Sequence, residues 1–385
     1  MGPLFVRLAL LTGMALLAGC SGKVAPPPSP GLGPAVCWDN LRGWNTDNLI
    51  EAKQALEHQC PRLAKKSEHW KTACDALTSG QIDTNNALSA LLKQHFQPHT
   101  LIGLQGKNEG LITGYYEPTL RGSFNRDTTY HYPLYKRPEQ MLTIDFGDRL
   151  PELKKQRLRG RIENNRVVPF YSRQEIDSSK QPLKGEELLW IDDPNAAFFL
   201  HIQGSGRVEL PDGSLVGVGY ADQNGQPYYA IGKALVKRGY IDAADISLQS
   251  IRAWLESNPA KADEIKNLNP SYIFFTLRHD MENGPRGSLN VPLTPERSIA
   301  VDRSIIPLGT PVWVDTELPK SKQPYQRLMI AQDTGGAIKG PVRADVFFGR
   351  GERAEQLAGH MKQRGQLYAL IPKQITNNTA DLSCN

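Results

Sequence analysis

The hydrophobic pattern changes twice along the chain. Across residues 39–100, apolar positions recur at three- and four-residue spacing with charges between them, as in LIEAKQALEHQC (49–60) and LSALLKQHF (88–96). That period predicts amphipathic helices. From TGYYEP (113–118) onward, short apolar runs alternate with Gly, Pro and Asn punctuation. RVVPFYS (166–172), AFFLHIQG (197–204) and RVELPDG (207–213) read as strands. Helical spacing returns in YYAIGKALVKRGYI (228–241) and SLQSIRAWLESNP (247–259), where Ser247 suits an N-cap and Pro259 a stop. PSYIFFTL (270–277) and the segments 297–316, 327–334 and 343–351 read as strands again. No internal repeat is evident. The pattern predicts a helical preface and a small β domain interrupted by a long α/β insertion.

The first residues carry a different signal. MGPLFVRLALLTGMALLAGC has an early Arg7, an apolar run too short for an ordinary membrane span, and small residues before Cys20. Leu16 to Cys20 matches a bacterial lipobox, so residues 1–19 read as a lipoprotein signal peptide and Cys20 as the lipidated residue. Acyl chains contribute roughly 0.8 kcal/mol per buried methylene, enough in combination for stable anchoring. Ser21 in place of Asp resembles the sorting pattern for the outer membrane. SGKVAPPPSPGLGP then supplies a tether over 20–36 that cannot bury a core. The expected location is the periplasmic face of the outer membrane of a Gram-negative cell.

At 385 residues the chain is long for a single core. Its 39% hydrophobic content describes an ordinary globular body. The net charge of +5 suits anionic partners such as cell-wall polymer, and equally a plain solvated surface. No basic stripe interleaves with aromatics, which argues against nucleic acid. Cys37, Cys60, Cys74 and Cys384 remain after Cys20. In an exported protein they suggest one or two disulfides, with Cys60–Cys74 closing a short loop between helices and Cys37–Cys384 tying the ends. Neither a CxxC nor a paired histidine favours metal, no Walker loop favours a nucleotide, and no cofactor is implied.

Three aspartates in the C-terminal third lie beside apolar β runs: Asp302 in VDRSIIPLGT, Asp333 in QDTGG and Asp345 in RADVFFG. A carboxylate there is costly unless it is hydrogen-bonded, paired or kept for chemistry. Each could instead cap a turn or pair with Arg303, Lys339 or Arg343. Asp345, followed by Phe347 and Phe348, has the poorest local turn chemistry, and a partly apolar cleft would raise its pKa. Gly335, Gly336 and Gly340 would let backbone approach a ligand.

GYYEP, HIQGSGRV, VDRSIIPLGT and QDTGGAIKG…RADVFFG together resemble the membrane-bound lytic transglycosylase A family with its C-terminal three-aspartate domain. The resemblance runs from about residue 100 to 355. It implies a mainly β fold with flanking helices: a double-psi β-barrel over 37–118 plus 276–385, interrupted by a β-rich domain over 119–275, with a glycan groove between them. It further implies cleavage of the β-1,4 bond between N-acetylmuramic acid (MurNAc) and N-acetylglucosamine (GlcNAc) in peptidoglycan, leaving 1,6-anhydromuramyl ends.

By that resemblance Asp345 is the catalytic acid and then base, Asp333 assists it, and Asp302 and Lys339 support them. One carboxyl suffices because the sugar's own C6 hydroxyl attacks, whereas hydrolytic glycosidases generally need two. Tyr115 and Tyr116 could stack on pyranose faces, and Gln203, Gly204, Ser205 and Gly206 of HIQGSG, with Gly335 and Gly336, would contact glycan. Glu117 is the alternative acid, and His201 reads as a strand residue. Expected partners are glycan strands, the outer membrane through the anchor, and cell-wall synthesis or division proteins that the chain does not identify. Two other readings stand beside this one: a two-carboxylate hydrolase of the same polymer, and a non-catalytic glycan-binding lipoprotein.

Overall fold

The computed structural model describes residues 29–153 and 156–373. The signal peptide, Cys20 and Cys384, the expected partner of Cys37, lie outside the described residues. Strand β1 (Gly31–Ala35) leads to helices α1 (Lys53–Leu63), α2 (Glu68–Thr78) and α3 (Asn85–His95), then to β2 (Phe96–Ile102) and β3 (Glu109–Glu117). A second group follows with β4 (Thr119–Ser123), β5 (Tyr132–Tyr135), β6 (Leu142–Ile144), β7 (Leu158–Glu163), β8 (Arg166–Pro169), α4 (Arg173–Ile176), β9 (Glu187–Ile191) and α5 (Pro194–Gln203). It is completed by β10 (Gly206–Glu209), β11 (Leu215–Gln223), α6 (Ile231–Lys237), α7 (Leu248–Ser257), α8 (Pro259–Asn267) and β12 (Ile273–Arg278). The chain closes with β13 (Ser298–Val301), β14 (Pro311–Glu317), β15 (Pro324–Asp333), β16 (Arg343–Arg350), α9 (Glu352–His360) and β17 (Lys362–Pro372).

The first sheet runs β1-β2-β17-β14-β15-β13-β16-β3, and an additional pairing brings terminal β3 back onto β17. Six strands therefore form a closed ring, which removes the open edges a flat sheet would expose. Within it, β13–β15 and β16–β3 are parallel and the remaining neighbours antiparallel. Its interior is filled by Ile112, Ile299, Val301, Val312, Val314, Met329, Ala344 and Val346. Helices α1 to α3 cover the outside, where Leu56, Leu77, Leu88 and Leu92 pack with Trp313, Leu328 and Ile330. Cys60 and Cys74 form a disulfide between α1 and α2. Buried Arg297 pairs bidentately with Asp47 at 2.7 and 2.8 Å, fastening the helical preface to the barrel.

Between ring strands β3 and β13 the chain builds a six-stranded sheet, β12-β11-β10-β4-β9-β5, and a three-stranded sheet, β6-β7-β8. At the junction of ring and sheet, Glu117 is paired with Arg207 (3.0 Å) and Arg278 and is almost fully buried.

Two sequence expectations are corrected here. AFFLHIQG is helical, not extended, and His201 lies within α5. The run is apolar on every side, so it lacks an amphipathic stripe, and α5 is set by its ends. Asp193 accepts from Asn195 N at 2.7 Å, Pro194 starts the helix, and Gly204 ends it in the left-handed region at φ 80°. The helical segment also stops at His95, because residues 96–102 form β2. Pro259 follows α7 as expected but also opens α8.

Candidate active site

The site grows from strand register. Ala300 on β13 is the partner of Asp333 on β15 and also of Asp345 on β16, while Asp345 in turn faces Thr113 on β3. Thr113, Asp345, Ala300 and Asp333 thus form one row across four strands. Facing positions send their side chains to the same side of a sheet. Asp333 joins the row through a bulge: Ile299 pairs with Ala331 and the next residue, Ala300, with Asp333, so Gln332 is skipped. Bulges of this kind re-aim a side chain. Gln332 turns away, fully buried, its amide donating to Ala55 O at 2.7 Å and its side-chain oxygen accepting from Ser298 Oγ at 2.6 Å.

Asp333 is held on both oxygens. Oδ1 accepts from Ser288 N (2.9 Å), Ser288 Oγ (3.0 Å) and Thr334 N (2.8 Å). Oδ2 accepts from the Tyr115 hydroxyl at 2.9 Å. Ser288 arrives on a loop whose Leu289 N donates to Gln332 O at 2.9 Å. Gly287 makes that approach feasible, because a Cβ there would stand 2.6 Å from Gln332 O and 3.1 Å from Asp333 Cβ. Burial pushes the Asp333 carboxyl above its ordinary range, against the pull of these four donors.

Asp345 is held far more lightly. Its Oδ1 accepts from Thr113 Oγ1 at 2.5 Å. Oδ2 has no hydrogen-bond partner among the described residues and is not sealed from solvent. Burial raises this carboxyl above its ordinary value, and the Asp333 charge adds to the rise, while Arg343 and Thr113 oppose it. Arg343 does not clamp the acid. Its guanidinium donates to Leu111 O (3.3 Å) and Ala344 O (2.6 Å).

Asp302 plays a different part. Oδ2 accepts from Gly340 N at 3.0 Å, and Oδ1 from Ser304 N (3.1 Å) and Ser304 Oγ (2.7 Å). Burial raises its pKa, but these bonds and the Lys339 charge together bring it below the ordinary value. It pins the turn at Gly340, where φ is 105°. Lys339 is exposed, and its charge is felt by Asp302.

The other expected residues are placed as follows. Tyr115 is buried against Phe347, with ring centroids 5.3 Å apart, so its ring is not a free sugar platform. Tyr116 lies in the barrel core, and burial raises its hydroxyl to about 12. Gln203 Oε1 accepts from Tyr116 N at 3.0 Å, so half of its amide is engaged. Gly204 caps α5, Ser205 is half-buried, and Gly206 is packed, since a Cβ there would meet Leu200 Cδ1 at 2.6 Å. Gly335 and Gly336 follow Thr334 in the loop beside Asp333, and Gly336 is exposed. Glu117 is committed to its two arginines. Sequence reasoning alone misses Thr113, Ser288 and Tyr228. Tyr228 feels the Asp345 charge after burial, which raises its hydroxyl pKa, and its Cβ lies 3.7 Å from where a Gly336 Cβ would stand.

A lightly held carboxyl whose pKa is raised by burial, beside one held by four donors, is the equipment of an acid–base enzyme. Comparisons with known proteins agree. Residues 111–276 match the MltA specific insert domain and residues 297–371 the 3D domain. The chain belongs to the membrane-bound lytic murein transglycosylase A family. The Vibrio cholerae protein of that name is 32% identical, with 94% of each chain covered. A membrane-bound lytic murein transglycosylase from Agrobacterium tumefaciens superposes with a TM-score of 0.79 at 29% identity, covering 89% of this chain and 98% of that one. Escherichia coli MltA with bound chitohexaose gives 0.65 at 27% identity, covering 90% and 93%.

Proposed function

We propose that this protein is a peptidoglycan lytic transglycosylase that cuts the MurNAc-β-1,4-GlcNAc bond and leaves 1,6-anhydromuramyl ends, with Asp345 as acid and then base. The observation that carries the reading is the contrast between the two carboxyls: Asp333 accepts four hydrogen bonds over both oxygens, and Asp345 accepts one. Burial raises both carboxyls, but donors aimed at a carboxylate favour its ionised form, so the bonding suits Asp333 to the charged role and Asp345 to the proton-donating one.

Protonated Asp345 gives its proton to the bridging oxygen as the C1–O4 bond breaks and positive charge develops at C1. The muramyl O6 then attacks C1, and its proton passes to the Asp345 carboxylate. The acid is restored and no water is consumed. Both Asp333 oxygens are already engaged and Glu117 is locked in its ion pairs, which argues against either as a second, water-activating base. Chitohexaose in the E. coli relative supports a glycan as ligand.

In this reading the closed ring is a double-psi β-barrel over 37–118 plus 276–385, and the intervening 119–275 is a substrate-binding insertion across a groove. Asp302 supports the site through the Gly340 turn. Cys20 carries the lipid that holds the chain at the periplasmic face of the outer membrane, within reach of the wall. The test is lysis of purified sacculi followed by borohydride labelling. Wild type should release glycan with no new reducing ends, and Asp345→Asn should release it at least about 10²-fold more slowly while still binding sacculi. Reducing ends from wild type would make it a hydrolase, and undiminished lysis by the variant would remove Asp345 from the chemistry.

A further inference from the structure

Residues 224–229, Asn-Gly-Gln-Pro-Tyr-Tyr, form a loop between β11 and α6 that is tethered at Asn224, Gln226 and Tyr229. Asn224 is fully buried. Its amide donates to Tyr171 O and Pro270 O, each at 2.8 Å, and its oxygen accepts from Tyr272 N (2.9 Å) and Gln226 N (3.3 Å). Gln226 Nε2 donates to Phe170 O at 2.9 Å, and Tyr229 N donates to Asn269 Oδ1 at 3.0 Å. Asn269 is itself buried. Loops normally run over the surface with few such ties, and a satisfied buried network fixes one conformation. The loop presents Tyr228 and Tyr229, each 37% exposed, and of the two it is Tyr228 that leans on Gly336, three residues past Asp333. Gly336, with no side chain, leaves that approach open.

We infer that Tyr228 forms the wall of the cleavage subsite opposite Asp345 and hydrogen-bonds the muramyl C6 hydroxymethyl group, holding O6 for attack on C1. The inference rests on the transglycosylase reading and adds the group that makes O6, instead of water, the nucleophile. A phenol carried on a tethered loop suits this role, since its ring can pack against the pyranose edge while its hydroxyl both donates and accepts. Burial and the Asp345 charge keep that hydroxyl protonated, so it stays a neutral hydrogen-bonding group and does not compete as a base. Orientation of this kind is what turns a bimolecular displacement into an intramolecular one. When O6 is misplaced, water takes the same C1 position and the product carries a reducing end.

The test compares wild type, Tyr228→Phe and Tyr228→Ala on purified sacculi, reading kcat, KM and the ratio of anhydro to reducing ends, with thermal unfolding as the check on folding. Loss of one neutral hydrogen bond predicts a kcat lower by about three- to tenfold in Tyr228→Phe, with KM little changed. Its reducing-end fraction should also rise. Tyr228→Ala should show a larger fall in kcat, a raised KM and more reducing ends at an unchanged melting temperature. If Tyr228→Phe matches wild type in kcat and product ratio while wild type makes anhydro ends, the role of Tyr228 is refuted and the transglycosylase reading stands. If wild type itself makes reducing ends, both fall.

Discussion

The Tyr115 hydroxyl donates to Asp333 Oδ2 across 2.9 Å, and the ring behind it packs on Phe347, two residues beyond Asp345. A residue expected to stack on sugar instead braces the second carboxyl. Its bond lowers the Asp333 pKa against burial. Tyr115→Phe removes the donor, so Asp333 protonates at higher pH. If Asp333 works ionised and Asp345 protonated, the acid limb of the pH–rate profile moves upward and the alkaline limb stays close to its place. Measuring kcat/KM against pH checks this. An unmoved acid limb would separate Asp333 from the active ionisation.

Asp345 predicts opposed changes in activity and stability. Its folded-state pKa is raised, chiefly by burial. The ionised form is therefore disfavoured in the fold, and the resulting destabilisation is complete above the folded pKa, shrinks as pH falls below it and is gone below the unfolded pKa. A tenfold change in the acid's ionisation constant corresponds to about 1.4 kcal/mol. Asp345→Asn, which never ionises and can still accept from Thr113, should melt higher than wild type at neutral pH, by roughly 2–4 °C per kcal/mol. The difference should close toward pH ~4, near the ordinary carboxyl range. Activity should fall by about 10²–10⁴-fold, the usual contribution of a general acid.

Gly287 is where a single added methyl should disturb the donors around Asp333. An added methyl at 2.6 Å from Gln332 O pushes the Ser288 loop away and removes donors from Asp333. Gly287→Ala should lower kcat by about tenfold through two weakened hydrogen bonds, with the acid limb again displaced upward. A melting temperature reduced with kcat intact would show that the loop serves only the fold.

Glu117 should behave in the opposite way. Removing it strands Arg207 and Arg278, both largely buried, without a counter-charge. Breaking such a pair from one side costs about 3–5 kcal/mol. Glu117→Ala should melt markedly lower, yet its folded fraction should yield the same products as wild type. A change in product type would return Glu117 to the chemistry.

The sequence exposes this site unevenly. Asp333 and Asp345 stand out because a carboxylate beside an apolar β run asks for a reason, and the structure places both in one row. The bulge that skips Gln332 is what aligns them, and no composition signal marks it: alternation alone would predict Asp333 and Ala331 on the same face irrespective of which partner they meet. Thr113 and Ser288 are ordinary polar residues until register and the Gly287 approach bring them to the carboxyls. In α5 the capping residues Asp193, Pro194 and Gly204 are readable, but an all-round apolar run masks them by resembling a buried strand. Tyr116 looks like a sugar platform only while the side of β3 that faces the core is unknown.

A single carboxyl that returns its proton by way of the sugar's own hydroxyl leaves a signature in the product. Mass spectrometry of muropeptides released in heavy-oxygen water reads it most directly. Muramyl ends one water lighter than reducing ends, and carrying no heavy oxygen, are the predicted result. Reducing ends labelled with solvent oxygen would contradict it.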